Sequence, residues 1–184
     1  PIIEAFLSVP REKFVPDGKR EAAYMGENFQ IGQSRVILEP RTLAKLLDAL
    51  DIDNDELVLD IGTGLGYSSA IISLLAEVVI AVEDDSSLAS EAEEILSEIG
   101  ADNVVVQVSK LQDGAPEHGP YDVIILQGGI EEIPVSIFKQ LKNGGRIGAI
   151  FVEKGLGTAK IGFKLNDKIN WRYSFNASAP VLPG

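Results

Sequence analysis

Short β-branched runs alternate with longer helical patterns along the second part of the chain. Five such runs occupy residues 57–61, 78–83, 104–108, 122–126 and 146–152. Between them, Ser86 or Ser87 can cap a helix that Gly100 ends, and Pro134 can open another helix at its first position. Strands that alternate with helices are typical of βαβ units, so the pattern predicts a doubly wound α/β fold with a parallel sheet.

Two further β-type runs, at residues 159–165 and 169–175, follow the alternating region. They are separated by the turn-forming pair Asn166-Asp167, and together they predict an antiparallel hairpin added to the sheet. With these two runs, the prediction is a mostly parallel sheet of seven strands. Trp171 and Tyr173 alternate on the last strand, where we expect both to pack on the sheet.

Residues 1–55 are expected to form a helical and lid segment ahead of a sheet core at 56–184, the two together making one domain. A helix beginning at Pro40 is predicted by four leucines on one face: Leu43, Leu46, Leu47 and Leu50. The Pro-flanked segment at 9–16 and the polar stretch at 17–35 together have the character of a lid or platform. The chain starts without Met and directly in a helical pattern, with Ile2, Ile3, Phe6 and Leu7 on one side, so we expect a further segment upstream.

Composition and charge argue against several classes of partner and metal site. The formal net charge of −12 opposes phosphate contacts, which argues against a nucleic-acid partner. No apolar run approaches the ~20 residues of a membrane span and no basic, apolar leader opens the chain, so we expect a cytoplasmic protein with no membrane partner. The chain has no Cys and a single His, His118, so we expect no metal site built on Cys or on several His.

The most informative stretch runs from Val58 to Tyr67, where an apolar strand leads into a glycine-rich turn before a helix. Ligands of open α/β sheets bind at this position. A dinucleotide fingerprint needs its third glycine where Tyr67 stands, and the strand-end carboxylate would repel a pyrophosphate. S-adenosylmethionine has a sulfonium and an ammonium and no phosphate, so it suits the same residues better. The predicted cofactor-binding residues of this turn are Asp60, Gly62, Thr63, Gly64 and Gly66.

Glu83 ends the next predicted strand, with Asp84 beside it. A carboxylate at that strand end can accept both hydroxyls of a ribose, so we add Glu83 and Asp84 to the predicted cofactor set. The alternative is a tight turn whose glycines serve only the backbone, with Glu83 as an ordinary solvated strand end.

Five segments that together extend over nearly the whole chain resemble the protein-L-isoaspartate O-methyltransferases. They are residues 9–16, 60–67, 121–125, 141–146 and 180–184. The glycine loop is common to methyltransferases in general, whereas the Val-Pro-Arg-Glu-Lys-Phe-Val-Pro segment resembles this family in particular. The resemblance implies a Rossmann-like methyltransferase fold. It also implies methyl transfer from S-adenosylmethionine to the carboxylate of an isoaspartyl residue in a damaged protein or peptide, by a protein that we expect to be a monomer.

The chain departs from the family pattern where the family has Thr-Ile-Ser-Ala-Pro-His. Leu38 stands in place of the Ser, Glu39 in place of the Ala and Arg41 in place of the His, and these three are the substrate-side candidates. No catalytic residue is assigned, because a carboxylate is already ionised at pH 7 and its methylation needs no general base. A lost hydroxyl and an added carboxylate would both disfavour an anionic substrate.

Two further departures concern the adenine and substrate sides. The family's Gly-Asp-Gly is replaced by Ser109-Lys110-Leu111, so Leu111 is expected to border the adenine without offering a carboxylate. After the fourth predicted strand, Glu131 and Glu132 add negative charge near the expected substrate. Two alternatives therefore stay open: a methyltransferase of the same fold with another substrate, and a catalytically degenerate module that only binds S-adenosylmethionine.

Overall fold

The computed structural model describes residues 1–16, 18–19 and 23–184. The part before the central sheet contains helix α1 (Ile2–Ser8), a two-stranded hairpin of β1 (Phe29–Gly32) and β2 (Arg35–Ile37), and helix α2 (Pro40–Leu50). Of the predicted lid or platform at 9–35, residues 17 and 20–22 lie outside the described residues. In the described part, no helix combines the length and apolar character that crossing a membrane requires.

The central sheet alternates with helices as the sequence pattern predicts. In chain order its elements are β3 (Leu57–Ile61), α3 (Tyr67–Ser73), β4 (Val78–Glu83), α4 (Ser86–Glu98), β5 (Val104–Val108), β6 (Tyr121–Ile130), α5 (Val135–Gln140), β7 (Leu141–Glu153), β8 (Leu156–Leu165) and β9 (Lys168–Asn176). The strands lie in the order β5-β4-β3-β6-β7-β8-β9. The first five pair in parallel, β8 pairs antiparallel with β7, and β9 pairs antiparallel with β8, which confirms the predicted seven-stranded fold.

Hydrophobic clusters cover both faces of the sheet, because a strand buried on both sides must point apolar side chains in both directions. On β3, Val58 belongs to one cluster, while Leu59 and Ile61 belong to the other. The leucine face of α2 packs in the first cluster, as predicted. The turn of the terminal hairpin is also confirmed, since Asn166 and Asp167 have φ of 52° and 61°, the backbone of a tight two-residue connection.

Element boundaries differ from the prediction where tertiary contacts decide them. Strand β6 continues to Ile130 instead of ending near 126, because Gly129 pairs with β7 and also with Val181 of the C-terminal segment. The cap of α4 is Asp85 rather than Ser86 or Ser87, since the Asp85 carboxylate accepts from the backbone N–H groups of residues 87 and 88. Pro134 lies just before α5 rather than at its first position.

Two expectations about side-chain burial are wrong. Helix α1 buries Ala5 and leaves Ile3 and Leu7 76% and 81% exposed, so those two do not share a covered face with Ile2 and Phe6. On β9, Trp171 packs edge-on against Phe151, whereas Tyr173 is 63% exposed because its strand is the last of the sheet.

Candidate active site at the carboxyl ends of the central strands

The glycine-rich turn connects β3 to α3 at the carboxyl end of the sheet. Gly62, Gly64 and Gly66 have φ of 82°, 61° and 96°, a region that side chains with a Cβ rarely adopt. The turn is held against the neighbouring strand by the backbone N–H groups of Gly62 and Thr63, which donate to the carbonyl of Val82 at 2.8 and 3.2 Å. Glycine thus permits the backbone conformation of the loop, and two hydrogen bonds hold the loop against β4. A turn that binds a cofactor by close backbone approach needs both features.

Asp60 lies directly beneath this turn and is fully buried. The hydroxyls of Ser68 and Ser69 donate to its Oδ2 at 2.5 and 2.6 Å, and the side-chain amide of Gln127 donates to its Oδ1 at 2.9 Å. Burial raises the pKa of Asp60, although these three donors oppose the shift. The carboxylate therefore ties β3 to α3 and β6, and its two oxygens face protein donors.

Glu83, at the carboxyl end of β4, is also fully buried. Its Oε1 accepts from the backbone N–H of Gly64 at 2.8 Å, and its Oε2 accepts from the N–H of Asp85 at 3.0 Å. The structure thus brings together the two features that the sequence assigned to one ligand, the glycine loop and the strand-end carboxylate.

Glu83 also binds Arg35 of the hairpin in a bidentate ion pair. Arg35 Nη2 lies 2.5 Å from Oε1 and Nη1 lies 2.9 Å from Oε2, and Nη1 is also 2.9 Å from Oδ1 of Asp84. Burial alone would raise the pKa of Glu83, but the hydrogen bonds and charge of Arg35 outweigh it and lower the pKa below its ordinary value. For Asp84, burial and the neighbouring Glu83 raise the pKa.

The substrate-side candidates lie in three different environments. Leu38 is 1% exposed and borders a cavity of about 10 Å³ that also touches Gly62 and Gln127, so it lies at the glycine loop as a core side chain. Glu39 precedes α2 and accepts from the Thr42 hydroxyl at 2.8 Å. Arg41 is exposed on the first turn of α2.

Two cavities flank the strand ends. The first, of about 460 Å³, is bordered by Leu111, Glu131 and Glu132, and the second, of about 450 Å³, by Arg35 and Asp84. Pro183 borders both. We call the β1–β2 hairpin together with residues 177–184 the roof, because these segments cover the glycine loop between the two cavities.

The roof is joined to the sheet by close backbone contacts. The N–H of Gly129 donates to the carbonyl of Pro180 at 2.7 Å, and the N–H of Leu182 donates to the carbonyl of Gly129 at 2.8 Å. A Cβ at Gly128 would lie 2.5 Å from the Leu182 side chain, so only glycine lets the roof come this close. Gly128 and Gly129, near the end of β6, therefore allow the close packing of the C-terminal segment.

We call the glycine loop together with Glu83 the cradle. Its features are those that binding of S-adenosylmethionine requires. Three left-handed glycines allow close backbone approach, Glu83 offers carboxylate oxygens at the strand end, and Leu111 borders the cavity where an adenine would lie. The mismatch is Arg35, which occupies the oxygens that a ribose would need. The residues present therefore fit the cofactor once this side chain leaves Glu83.

Sequence reasoning missed three contributors to this site. Arg35 lies in a polar stretch with no periodicity, and Gln127 follows a predicted strand without a recognisable motif. Arg11 stands in the charged run Arg11-Glu12-Lys13, a composition typical of a solvated surface. Arg11 is instead 1% exposed, donates from Nε to the carbonyl of Ala23 at 2.6 Å, and lies over the Tyr67 ring. For Gln127, the meeting of parallel strand ends was an available signal.

Comparison with known proteins relates the chain to one family. A family model described as protein-L-isoaspartate(D-aspartate) O-methyltransferase (PCMT) matches residues 1–170. The protein-L-isoaspartate O-methyltransferase of Syntrophus aciditrophicus is 38% identical over 146 residues, covering 79% of this chain and 67% of that protein. The protein of the same name from Opitutus terrae is 36% identical over 145 residues, covering 79% of this chain and 62% of that protein. The chain thus spans about two thirds of the length of these relatives.

Solved structures show the same likeness. A protein-L-isoaspartate O-methyltransferase matches with a TM-score of 0.89 and 26% identity, over 100% of this chain and 61% of that one. A beta-aspartate methyltransferase (PCMT) from Plasmodium falciparum, in complex with S-adenosyl-L-homocysteine, matches with a TM-score of 0.84 and 18% identity, over 99% of this chain and 89% of that one. The second likeness shows the shared fold.

Proposed function

Because the chain belongs to the protein-L-isoaspartate O-methyltransferase family, we propose that it transfers the methyl group of S-adenosylmethionine to the carboxylate of an isoaspartyl residue in damaged protein. The family model covers residues 1–170, which includes the glycine loop, Glu83 and the whole parallel part of the sheet. We further propose that residues 1–184 form one domain that acts as a monomer in the cytoplasm.

One contact carries the proposal: the backbone N–H of Gly64 donates to Glu83 Oε1 at 2.8 Å. It places a glycine loop that admits close approach next to a carboxylate that suits a ribose. Asp60 contributes negative charge beneath the loop, which disfavours a pyrophosphate and favours a ligand with a sulfonium and an ammonium. Electrostatics and backbone geometry therefore support the same cofactor class.

Different residues would bind different parts of S-adenosylmethionine. Glu83 would accept the ribose hydroxyls, while Gly62, Thr63, Gly64 and Gly66 supply the close surface. Asp60 would contribute by holding the glycine loop in its conformation, because its oxygens accept hydrogen bonds from Ser68, Ser69 and Gln127. Asp84 and Leu111 border the two cavities on either side.

The reaction places modest demands on the protein. When bound, S-adenosylmethionine would supply an electrophilic methyl group on a sulfonium, with a neutral thioether as the leaving group. The acceptor is ionised at pH 7, so the protein must align it and exclude water rather than remove a proton. Buried Leu38 at the loop excludes water, and its own side chain has no hydroxyl to orient the carboxylate.

A second candidate function is methyl transfer on the same fold to a different acceptor. Two observations favour it: Leu38 offers no donor to an anion, and the exposed side chains of Glu131 and Glu132 border the cavity of about 460 Å³. Both carboxylates would oppose an anionic acceptor and favour a neutral or cationic one.

The test combines binding and turnover. Calorimetric titration with S-adenosylhomocysteine should give a dissociation constant in the micromolar range, about −8 kcal/mol, and Glu83→Ala should weaken it at least tenfold. Methyl transfer is then measured on an isoaspartyl peptide and on its aspartyl counterpart. Transfer to the isoaspartyl peptide alone supports the proposal. Binding without transfer to either peptide would contradict the proposal and leave the second candidate and a module that only binds S-adenosylmethionine. Absence of binding would contradict all three.

A further inference from the structure

The ion pair between Arg35 and Glu83 is enclosed on all sides. Arg35 is 5% exposed and Glu83 is fully buried. Glu83 accepts four hydrogen bonds, two from the guanidinium and one each from the N–H groups of Gly64 and Asp85. Each carboxylate oxygen therefore already has two donors, so a ribose diol cannot bind to Glu83 while the guanidinium stays there.

A second side chain of the same hairpin covers the glycine loop. A Cβ built on Gly64 would lie 2.6 Å from Cδ1 of Ile31, so the space above this glycine is filled by Ile31 of β1. Arg35 begins β2, the partner strand. The hairpin thus occupies both halves of the cradle, the loop with Ile31 and the carboxylate with Arg35, and the two must move together for a ligand to enter.

Asp84 offers a second carboxylate that could pair with the guanidinium of Arg35 when Arg35 leaves Glu83. Arg35 Nη1 is already 2.9 Å from Asp84 Oδ1, and the Asp84 side chain is 34% exposed on the cavity of about 450 Å³. Within the described residues Arg35 Nε has no hydrogen-bond partner, although it is buried. A small shift toward Asp84 would keep the cation paired while freeing Glu83.

We propose that Arg35 is a built-in competitor of the cofactor for Glu83, displaced to Asp84 when the ribose hydroxyls bind. This inference rests on the proposed function. It makes Arg35 a determinant of cofactor affinity that does not itself touch the cofactor. Because β2 leads directly into Leu38 and Glu39, displacement of the hairpin would also move the substrate-side segment.

The test uses Arg35→Gln with two readouts that must move in opposite directions. Without ligand, the variant leaves Glu83 buried and without its cation, so its melting temperature should fall below that of the wild type. Its affinity for S-adenosylhomocysteine, measured by calorimetry, should rise at least tenfold because nothing has to be displaced. The matched control is Arg172→Gln on β9, an exposed arginine over the Phe163 ring, which should leave the affinity unchanged.

The outcomes separate this inference from the proposed function. If the wild type binds S-adenosylhomocysteine and Arg35→Gln binds it equally or more weakly, Arg35 is not a competitor and the cofactor assignment stands. If neither binds, both proposals fail. Should Arg35→Gln not fold, Arg35→Lys replaces it, because a lysine cannot make the bidentate pair and should give the same two changes to a smaller extent.

A double-mutant cycle tests the displacement to Asp84. Asp84→Asn removes the receiving carboxylate, so it should weaken binding of S-adenosylhomocysteine when Arg35 is present and have little effect in the Arg35→Gln background. An equal loss in both backgrounds would mean that Asp84 contacts the ligand itself, and the displacement step would be wrong.

Discussion

The side-chain amide of Gln127 donates to Oδ1 of Asp60 at 2.9 Å, and this bond joins the carboxyl ends of β6 and β3 in the interior of the protein. Both residues are at least 96% buried. Because Asp60 also receives two serine hydroxyls from α3, it connects three elements beneath the glycine loop. The loop is therefore supported by the fold from below, independently of any ligand above it.

Replacing Gln127 tests this support. Gln127→Leu keeps the approximate size but leaves one oxygen of a buried carboxylate without its donor, which typically costs about 1–3 kcal/mol. We expect the free energy of unfolding, measured in urea, to fall by that amount. Gln30→Leu, at an exposed position of β1, is the control and should change it by less than about 0.5 kcal/mol. Equal effects of the two variants would contradict the structural role of Gln127.

The buried Leu38 is expected to limit the rate on isoaspartyl peptides. Leu38→Ser with Glu39→Ala restores a hydroxyl at the glycine loop and removes a carboxylate, together worth about 2–4 kcal/mol, which corresponds to about 30- to 1,000-fold in rate. Initial methylation rates on isoaspartyl and aspartyl peptides measure the gain. Since Leu38 is a core side chain, the variant should also lose stability, about 2–5 kcal/mol for a buried leucine.

Leu38→Ala with Glu39→Ala is the matched control, because it makes a similar cavity without the hydroxyl. It should be as destabilised as the serine variant and gain less in rate. If both variants bind S-adenosylhomocysteine and neither methylates the isoaspartyl peptide faster than the wild type, isoaspartate is not the acceptor and the second candidate function is favoured.

Acidification should remove the stabilisation that Glu83 provides. Arg35 lowers the pKa of Glu83 in the folded protein against the effect of burial, so the unfolded chain binds more protons as the pH falls through about 4. We therefore expect the difference in unfolding free energy between the wild type and Glu83→Gln to be largest near pH 7 and to shrink on acidification.

The comparison with a variant is needed because other carboxylates act in the opposite direction. Burial raises the pKa of Asp60 and of Asp84, so their contributions favour the folded state at lower pH. Glu94→Gln, on the exposed side of α4, serves as the control. Parallel pH curves for the wild type and Glu83→Gln would contradict the assigned direction for Glu83.

Arg11 offers a test of a buried charge. Within the described residues its Nη1 and Nη2 have no hydrogen-bond partner, and burial lowers its pKa. Its guanidinium lies 4.7 Å from the centre of the Tyr67 ring. Arg11→Met keeps much of the packing and removes a buried charge that is costly to desolvate, so it should lower the free energy of unfolding less than Arg11→Ala does. Arg11→Ala should be the more destabilising change, because it leaves a cavity.

Thermal and urea unfolding of both variants measure this difference. A loss of stability in Arg11→Met as large as that in Arg11→Ala would show that the charge itself, through the ring of Tyr67 or the carbonyl of Ala23, holds the N-terminal segment in place.

Much of the sheet could be predicted, because each strand is indicated by a short run of neighbouring residues. The strands β3, β4 and β5 were located at their observed boundaries, since short β-branched runs between helical patterns have few other structures open to them. The ends of β6 and β7 could not be predicted. Pairing with β7 and with Val181 extends β6 through Gly128 and Gly129, which have no strand propensity. Pairing of Leu141 with Tyr121 makes β7 begin earlier than its β-branched run.

The sequence predicted which residues form the glycine loop and the strand-end carboxylate, but it did not predict most of the side-chain contacts among them. The motif places Gly64 and Glu83 at neighbouring strand ends, and their contact follows from the parallel register. The direct interaction of Asp60 with an ammonium stays a prediction, while the structure shows its oxygens held by side chains of α3 and β6. Nothing in the sequence around Arg35 indicates which carboxylate it reaches, because the docking of a short hairpin depends on side-chain packing 48 residues away along the chain.

The hydrogen bond from the Asn28 side chain to the carbonyl of Ser178, at 2.7 Å, joins the two halves of the roof across 150 residues of sequence. Contacts of such separation form late, because a long loop must close before they are made. During synthesis, strands β3 to β6 would leave the ribosome and pair while residues 177–184 were still within it. A nascent chain would therefore present its glycine loop and Glu83 without a complete roof, and the two cavities would become separate only when residues 177–184 have emerged.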